Sequence, residues 1–106
     1  MSAYALSPLA RLDLSAIWDY SAERWGAEQA DRYVRRIVAA CVDLGCGRVK
    51  GIGAEAIREG YFKYPAGSHV LFYRLGDIHR IEIIRILHQR MDLGRHLLPE
   101  LVEEDA

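Results

Sequence analysis

The sequence has 106 residues, of which 51% are hydrophobic and 27% are charged, with a formal net charge of -1. This length fits one domain, and the composition is ordinary for a soluble globular protein. A net charge near zero does not indicate a protein that binds nucleic acid mainly through phosphates. The N-terminus has no basic region followed by a long apolar run, and no stretch is apolar enough to span a membrane, so we expect a cytoplasmic protein without membrane contact.

The first elements predicted are an edge strand at Tyr4-Ala5-Leu6 and a helix directly after it. Ser7 is a favourable N-cap, and Pro8 is tolerated in the first helical turn. On a 3.6-residue period, the main apolar face of this helix comprises Ala10, Leu14, Ile17, Trp18, Ser21 and Trp25. Gly26 is well placed to end it. The two tryptophans fit either a core or a binding surface.

A second helix is predicted immediately after Gly26. Its apolar residues recur at spacings of three and four: Ala30, Tyr33, Val34, Ile37, Cys41 and Leu44. Because the link is so short, the two helices must form an antiparallel hairpin. We expect this helix to end at Gly45-Cys46-Gly47 and a mobile, glycine-rich loop to run to Gly53. Cys41 is predicted to be a reduced core residue, whereas Cys46 is placed in the loop.

Three strands are predicted in the C-terminal half, at Ile57–Tyr64, His69–Leu75 and Ile78–Leu87. The turn residues Pro65-Ala66-Gly67-Ser68 separate the first two, and Gly76-Asp77 separates the last two. Such short links favour an antiparallel meander.

The predicted fold is therefore α+β, with the order β-α-α-β-β-β and a helical hairpin packed on one face of a small, mainly antiparallel sheet. Residues 1–96 are predicted to form the single domain, and residues 97–106 a frayed C-terminal tail.

Both faces of the predicted sheet carry apolar side chains. Since side chains alternate along a strand, one face of the last strand is predicted to carry Ile81, Ile83, Arg85 and Leu87, and the other Arg80, Glu82, Ile84 and Ile86. Two helices can cover only one face. The second face requires another cover, either the C-terminal tail or a partner chain that adds a strand or docks a helix.

Three stretches of the chain resemble ParE toxins, a branch of the RelE/ParE toxin superfamily. The first comprises Leu6-Ser7-Pro8, Ala10-Arg11-Leu12-Asp13-Leu14, Ile17-Trp18-Asp19-Tyr20 and Gly26. The second comprises Ile57-Arg58-Glu59-Gly60-Tyr61-Phe62-Lys63-Tyr64 and His69-Val70-Leu71-Phe72-Tyr73-Arg74. The third is Ile83-Ile84-Arg85-Ile86-Leu87-His88-Gln89-Arg90-Met91-Asp92. The loop Gly47–Gly53 departs from the family pattern, which often has a proline and more basic residues there.

The resemblance implies a RelE/ParE-like fold and a toxin of a type II toxin–antitoxin module, of the kind linked to growth inhibition and plasmid stabilization. ParE toxins poison DNA gyrase. Their ParD-like antitoxins combine a ribbon-helix-helix DNA-binding part with a segment that folds on the toxin. A hetero-oligomer with such an antitoxin is therefore expected, with DNA contacted only indirectly through the antitoxin and with no cofactor.

Two sets of contact residues are predicted on this basis. The target-binding residues are Arg85, His88, Arg90, Met91 and Asp92. The antitoxin-binding residues are Leu14, Trp18, Trp25, Tyr33, Ile37, Tyr61, Phe62 and Tyr73.

Two alternatives to a gyrase poison stay open. One is a RelE-like, ribosome-dependent endoribonuclease, whose metal-free chemistry would use the residues Arg58, Arg74, Arg85 and His88. The chain has only two lysines and no tyrosine after Tyr73, which favours binding over catalysis. The other is a non-toxic copy that acts only with its antitoxin in promoter autoregulation. His69, His79 and His96 lack the spacing of metal ligands, so no metal site is predicted.

Overall fold

The fold consists of one sheet and a pair of helices on one of its faces, in a computed structural model that describes residues 3–77 and 80–90. The elements in chain order are β1 (Tyr4–Leu6), α1 (Pro8–Trp25), α2 (Ala27–Cys46), β2 (Ile52–Gly53), β3 (Tyr61–Ala66), β4 (His69–Leu75) and β5 (Ile81–His88). The strand order is β1-β5-β4-β3-β2. Only the β1–β5 pair is parallel within these residues. The predicted α+β fold is confirmed.

The start of α1 lies where its N-cap was predicted. The Ser7 hydroxyl accepts a hydrogen bond from the Ala10 amide at 3.0 Å and donates one to the Ile84 carbonyl at 2.7 Å. The same side chain therefore caps the helix and fastens its first turn to β5. Gly26 separates the two helices with a φ of 95°. Neither helix has the length and apolar content needed to cross a membrane.

The end of α2 and the segment after it differ from the prediction. The helix continues through Cys46 and ends at Gly47, which has a left-handed φ of 78°, so Cys46 lies on the last helical turn rather than in a loop. Within the glycine-rich segment, β2 pairs with β3. The Gly51 amide also donates to the Tyr73 hydroxyl at 2.8 Å. A strand of two residues has no periodicity, which is why it was missed.

The first strand of the meander, β3, begins and ends later in the sequence than predicted. Residues 57–60 form turns, in which the amides of Ile57 and Arg58 donate to the Ala54 carbonyl, so β3 begins only at Tyr61. It continues through Pro65 to Ala66, because β2 pairs with β3 only at positions 62–63 and leaves this end without a second neighbour. The turn is shortened to Gly67-Ser68. The bounds of β4 are as predicted, and β5 runs from Ile81 to His88, while Ile78 and His79 lie outside the described residues.

A bulge in β5 changes which side chains face the helices. Phe72 pairs with Arg85 but Tyr73 pairs with Ile83, so Ile84 is an extra residue in the strand. The predicted assignment of faces is therefore right for Ile84 but wrong for Ile86 and Leu87. The cluster on the helix side includes Ile81, Ile83 and Ile86, whereas the cluster on the opposite side includes Ile84 and Leu87.

The opposite side of the sheet is not an open apolar surface. Phe72, Ile84 and Leu87 are at most 3% exposed, and Ala54 and Ile57 from the segment between β2 and β3 belong to the same cluster. Since these side chains are buried within the chain, the predicted alternative of a partner chain as their cover is wrong. The other predicted cover, the tail at 97–106, lies outside the described residues.

Candidate functional site

A groove of about 680 Å³ opens between the helical hairpin and one end of the sheet. Its floor and walls come from α1, from the start of α2, from the β3–β4 turn and from the last residues of β5. Most of its lining is apolar, with a few polar groups that converge from different elements. Such a concave, mainly apolar site with few polar groups is typical of binding sites in proteins.

The polar floor of the groove is an ion pair between α1 and β5. Arg85 donates from Nε to Oδ2 of Asp13 at 2.7 Å and from Nη2 to Oδ1 at 2.8 Å. The Ile86 amide donates to the same Oδ2 at 2.9 Å. Arg85 is only 8% exposed, so the pairing with Asp13 compensates the loss of hydration of its charge.

Two histidines and a tyrosine form one wall. The Tyr33 hydroxyl lies 2.6 Å from Nδ1 of His69 and accepts a hydrogen bond from the Ser68 amide at 2.9 Å. The rings of His69 and His88 meet edge to face with centroids 5.2 Å apart. Burial, together with repulsion from His88, lowers the pKa of His69 to about 4. The His69 side chain in this wall is therefore uncharged near neutral pH.

The rim of the groove carries exposed aromatic side chains. Trp25 is 62% exposed and Tyr20 is 53% exposed, and their rings meet edge to face with centroids 6.2 Å apart. The guanidinium of Arg24 lies 5.4 Å from the Tyr20 centroid and 5.6 Å from the Trp25 centroid. Trp, Tyr and Arg are the residue types most enriched at the energetic centres of protein interfaces.

Some of the predicted antitoxin-binding residues are buried, and the others are at least partly exposed. Ile37, Tyr61 and Tyr73 are buried in the two clusters of the core, so as surface contacts these three predictions are wrong. The remaining residues keep some exposure: Leu14, Trp18, Trp25, Tyr33 and Phe62. Periodicity finds the apolar side of a helix, but it does not distinguish the centre of that side from its rim, which decides exposure.

The predicted target-binding residues lie at the end of β5 or beyond it. Arg85 is buried against Asp13, so it is a structural residue rather than a surface contact. His88 is partly exposed in the groove and Arg90 is exposed after the strand, where its amide donates to Nδ1 of His88 at 3.0 Å. Met91 and Asp92 lie outside the described residues.

Of the four residues of the endoribonuclease alternative, Arg85 and His88 both line the groove, but Arg74 does not lie with them. Arg74 pairs with Glu82 at 2.8 Å, at the opposite end of β4 from His69, which is the partner of His88. Five residues of strand separate the two ends, a distance of about 17 Å. Arg85 is held by Asp13 on the helix side. A phosphate could not contact Arg74 and His88 at once, which does not favour this alternative.

No metal centre is indicated in the described part of the chain, and its buried thiol, Cys41, is not suited to chemistry. Residues 3–77 and 80–90 contain no group of three or more His, Cys, Asp or Glu side chains that could hold a metal ion. Burial raises the pKa of the Cys41 thiol to about 11, so this core cysteine is a poor nucleophile.

Asp13 and Tyr20 are two of the groove residues that were not predicted as site residues. Asp13 is three positions after Ala10 and four before Ile17, which places a carboxylate on the buried stripe of α1. A charged residue on such a stripe indicates a buried partner, and this signal could have found the pair with Arg85. Tyr20 was named only within the stretch Ile17-Trp18-Asp19-Tyr20 that resembles ParE toxins.

Comparison with known proteins gives consistent matches over most of the chain. A family model described as the ParE toxin of type II toxin–antitoxin system, parDE, matches residues 4–93. Toxin ParE1 of Mycobacterium tuberculosis is 44% identical over 96 residues, which cover 91% of this chain and 98% of the relative. Toxin ParE1 of Caulobacter vibrioides is 45% identical over 97 residues, which cover 92% and 99%.

A solved structure shares the fold. It belongs to the chromosomal ParDE TA system from P. aeruginosa and superposes with a TM-score of 0.70 at 24% identity, covering 83% of this chain and 96% of that chain.

Proposed function

Since the chain belongs to the ParE toxin family of type II toxin–antitoxin systems, we propose that it inhibits DNA gyrase by binding and that a ParD-like antitoxin neutralises it. Family membership carries this proposal, because it makes the chain a toxin and an antitoxin its partner. The separation of Arg74 from His88 supports binding over RNA cleavage. A gyrase inhibitor would act in the cytoplasm, which is part of the proposal.

The groove and its rim are the proposed antitoxin surface. The exposed Trp25 and the partly exposed Leu14, Trp18 and Tyr33 lie on the two helices. The Trp18 indole donates to Asp31 at 2.8 Å, which fixes this ring between the helices. An apolar segment that folds on the toxin would bury these side chains, and the groove offers a concave place for its anchor residue.

The end of β5 and the residues that follow are the proposed contact with gyrase. Arg90 is exposed, follows the strand directly and lies next to the groove through its hydrogen bond to His88. An exposed cation beside a large target complex is suited to binding a carboxylate or phosphate.

The experiment is a DNA cleavage assay with purified gyrase and the purified toxin, with and without the antitoxin. We expect cleaved DNA to accumulate with the toxin and to disappear when the antitoxin is added. About ten times more of the Arg90→Ala toxin should be needed for the same amount of cleaved DNA, because this change removes one charge-assisted contact. Arg36→Ala, which removes another exposed cation, on α2, is the control and should behave as the unchanged protein.

Three results would contradict the proposal. Gyrase that is unaffected at a large excess of toxin removes the proposed target. Loss of translation with cut messages, when the toxin is expressed without antitoxin, would favour the ribonuclease alternative instead. An absence of any toxicity would indicate a copy that acts only in complex with its antitoxin.

A further inference from the structure

We propose that Asp13 is a positioning residue, which sets the face and the direction in which β5 presents the stretch that begins at His88. This inference rests on the proposed function of that stretch as the contact with the target. Asp13 lies on α1, 72 positions before Arg85 in the sequence. Its effect on the end of β5 therefore depends on tertiary structure alone.

The carboxylate of Asp13 makes three contacts with β5. Two go to the guanidinium of Arg85 and the third goes to the backbone amide of Ile86. The side chains of Asp13 and Arg85 are only 14% and 10% exposed, which strengthens these charge-assisted hydrogen bonds. Together they attach both the side chain and the backbone of β5 to α1 at one point.

The contacts of Asp13 lie next to the bulge in β5. Ile84 is the extra residue, and Arg85 and Ile86 follow it directly. A bulge interrupts the ladder of hydrogen bonds and leaves strand groups that need other partners. Asp13 accepts from the backbone amide of Ile86, two positions after the extra residue, and so it stabilises a distortion that neighbouring strands alone would not favour.

The bulge decides the face on which His88 lies. Before it, Ile81 and Ile83 point to the helices, and strict alternation would send His88 to the opposite side of the sheet. Because one residue is added, Ile86 and His88 return to the helix side instead, where His88 lines the groove and its ring meets that of His69. The contacts of Asp13 thus control the orientation of His88, four positions beyond the extra residue Ile84.

The path of the chain after β5 follows from the position of His88. Nδ1 of His88 accepts the Arg90 amide at 3.0 Å, and the Gln89 amide donates to the Ser68 carbonyl at 2.9 Å. A change in the face of His88 would break the first bond and redirect Arg90. Asp13, the bulge, His88 and Arg90 therefore form one continuous series of contacts from α1 to the proposed target contact.

The test compares Asp13→Ala with the control Leu44→Ala. The control removes a buried side chain on α2, away from the bulge, and so lowers stability without removing the contacts between Asp13 and β5. The first measurement is the nuclear Overhauser effect between the ring protons of His69 and His88 in the folded proteins. We expect Asp13→Ala to lose it and Leu44→Ala to keep it. A retained signal in Asp13→Ala would overturn the proposal.

The second measurement is the toxin concentration that half-inhibits gyrase, corrected for the folded fraction. We expect an increase of at least tenfold for Asp13→Ala and no change for Leu44→Ala. If the unchanged protein does not inhibit gyrase, the proposed function fails. The nuclear Overhauser effect between His69 and His88 then remains the test of the positioning role of Asp13. If Asp13→Ala does not fold, Asp13→Asn replaces it, and unchanged values in both measurements would overturn the proposal.

Discussion

His69 shows how one buried titratable side chain makes stability depend on pH. Its Nδ1 lies 2.6 Å from the Tyr33 hydroxyl, which itself accepts from the Ser68 amide. This arrangement suits a neutral ring that accepts the tyrosine proton. Burial is the main cause that lowers the pKa of His69 to about 4, and His88 adds to the effect while Asp13 opposes it. Protonation would place a second donor against Tyr33 in a partly buried site.

We expect the free energy of unfolding to fall as the pH is lowered from about 6.5 towards 4. In this range the unfolded chain binds a proton at His69 that the folded chain excludes, so acid favours unfolding, by at most about 1.4 kcal/mol for each pH unit. Urea unfolding at pH 7.0, 6.0 and 5.0 measures this slope. His69→Gln should have a smaller slope over the same range, and equal slopes in the two proteins would contradict the interpretation.

At the scale of elements, local signals predicted the helices better than the strands. The start and end of α1 depend on Ser7, Pro8 and Gly26, which act through their own backbone preferences and are readable from sequence. The bounds of β3 depend on how far β2 reaches, and the bulge in β5 is held by Asp13 on a distant helix. Neither dependence is local, so neither could be predicted from the strand sequences.

Gly26 is an element-scale feature whose backbone conformation restricts substitution. Its φ of 95° and ψ of 159° lie in a region that essentially only glycine adopts, although no atom would obstruct an added Cβ. We expect Gly26→Ala to lower the free energy of unfolding by about 1–3 kcal/mol through backbone strain alone. Thermal unfolding followed by circular dichroism measures it.

The matched control for this strain is Gly47→Asn. Gly47 has a left-handed conformation with φ 78° and ψ 11°, which asparagine tolerates, and an added Cβ there would also meet no atom. We therefore expect a smaller loss of stability than for Gly26→Ala. Losses of the same size at both positions would show that the ψ of Gly26 has no special cost.

At the scale of the whole molecule, the sequence predicted the fold and the kind of partner but not the surface. The resemblance identified the family, and family membership made an antitoxin the partner. The surplus apolar residues on the sheet were expected to need a partner, but Phe72 and Leu87 are buried inside the chain. The exposed aromatic surface lies instead on the rim of a groove, and a groove between a helical hairpin and the end of a sheet exists only after tertiary packing.

Trp25 is the residue whose replacement best separates binding from folding. Its side chain is 62% exposed, so Trp25→Ala should change the free energy of unfolding by no more than about 0.5 kcal/mol. As a proposed anchor for the antitoxin, the same change should weaken the complex by about 2 kcal/mol, or roughly thirtyfold in Kd. Isothermal titration calorimetry and urea unfolding measure the two effects. Ile52→Ala on β2 is the control, since Ile52 is 65% exposed and does not line the groove; an equal loss of affinity in both variants would exclude the groove rim as the specific antitoxin contact.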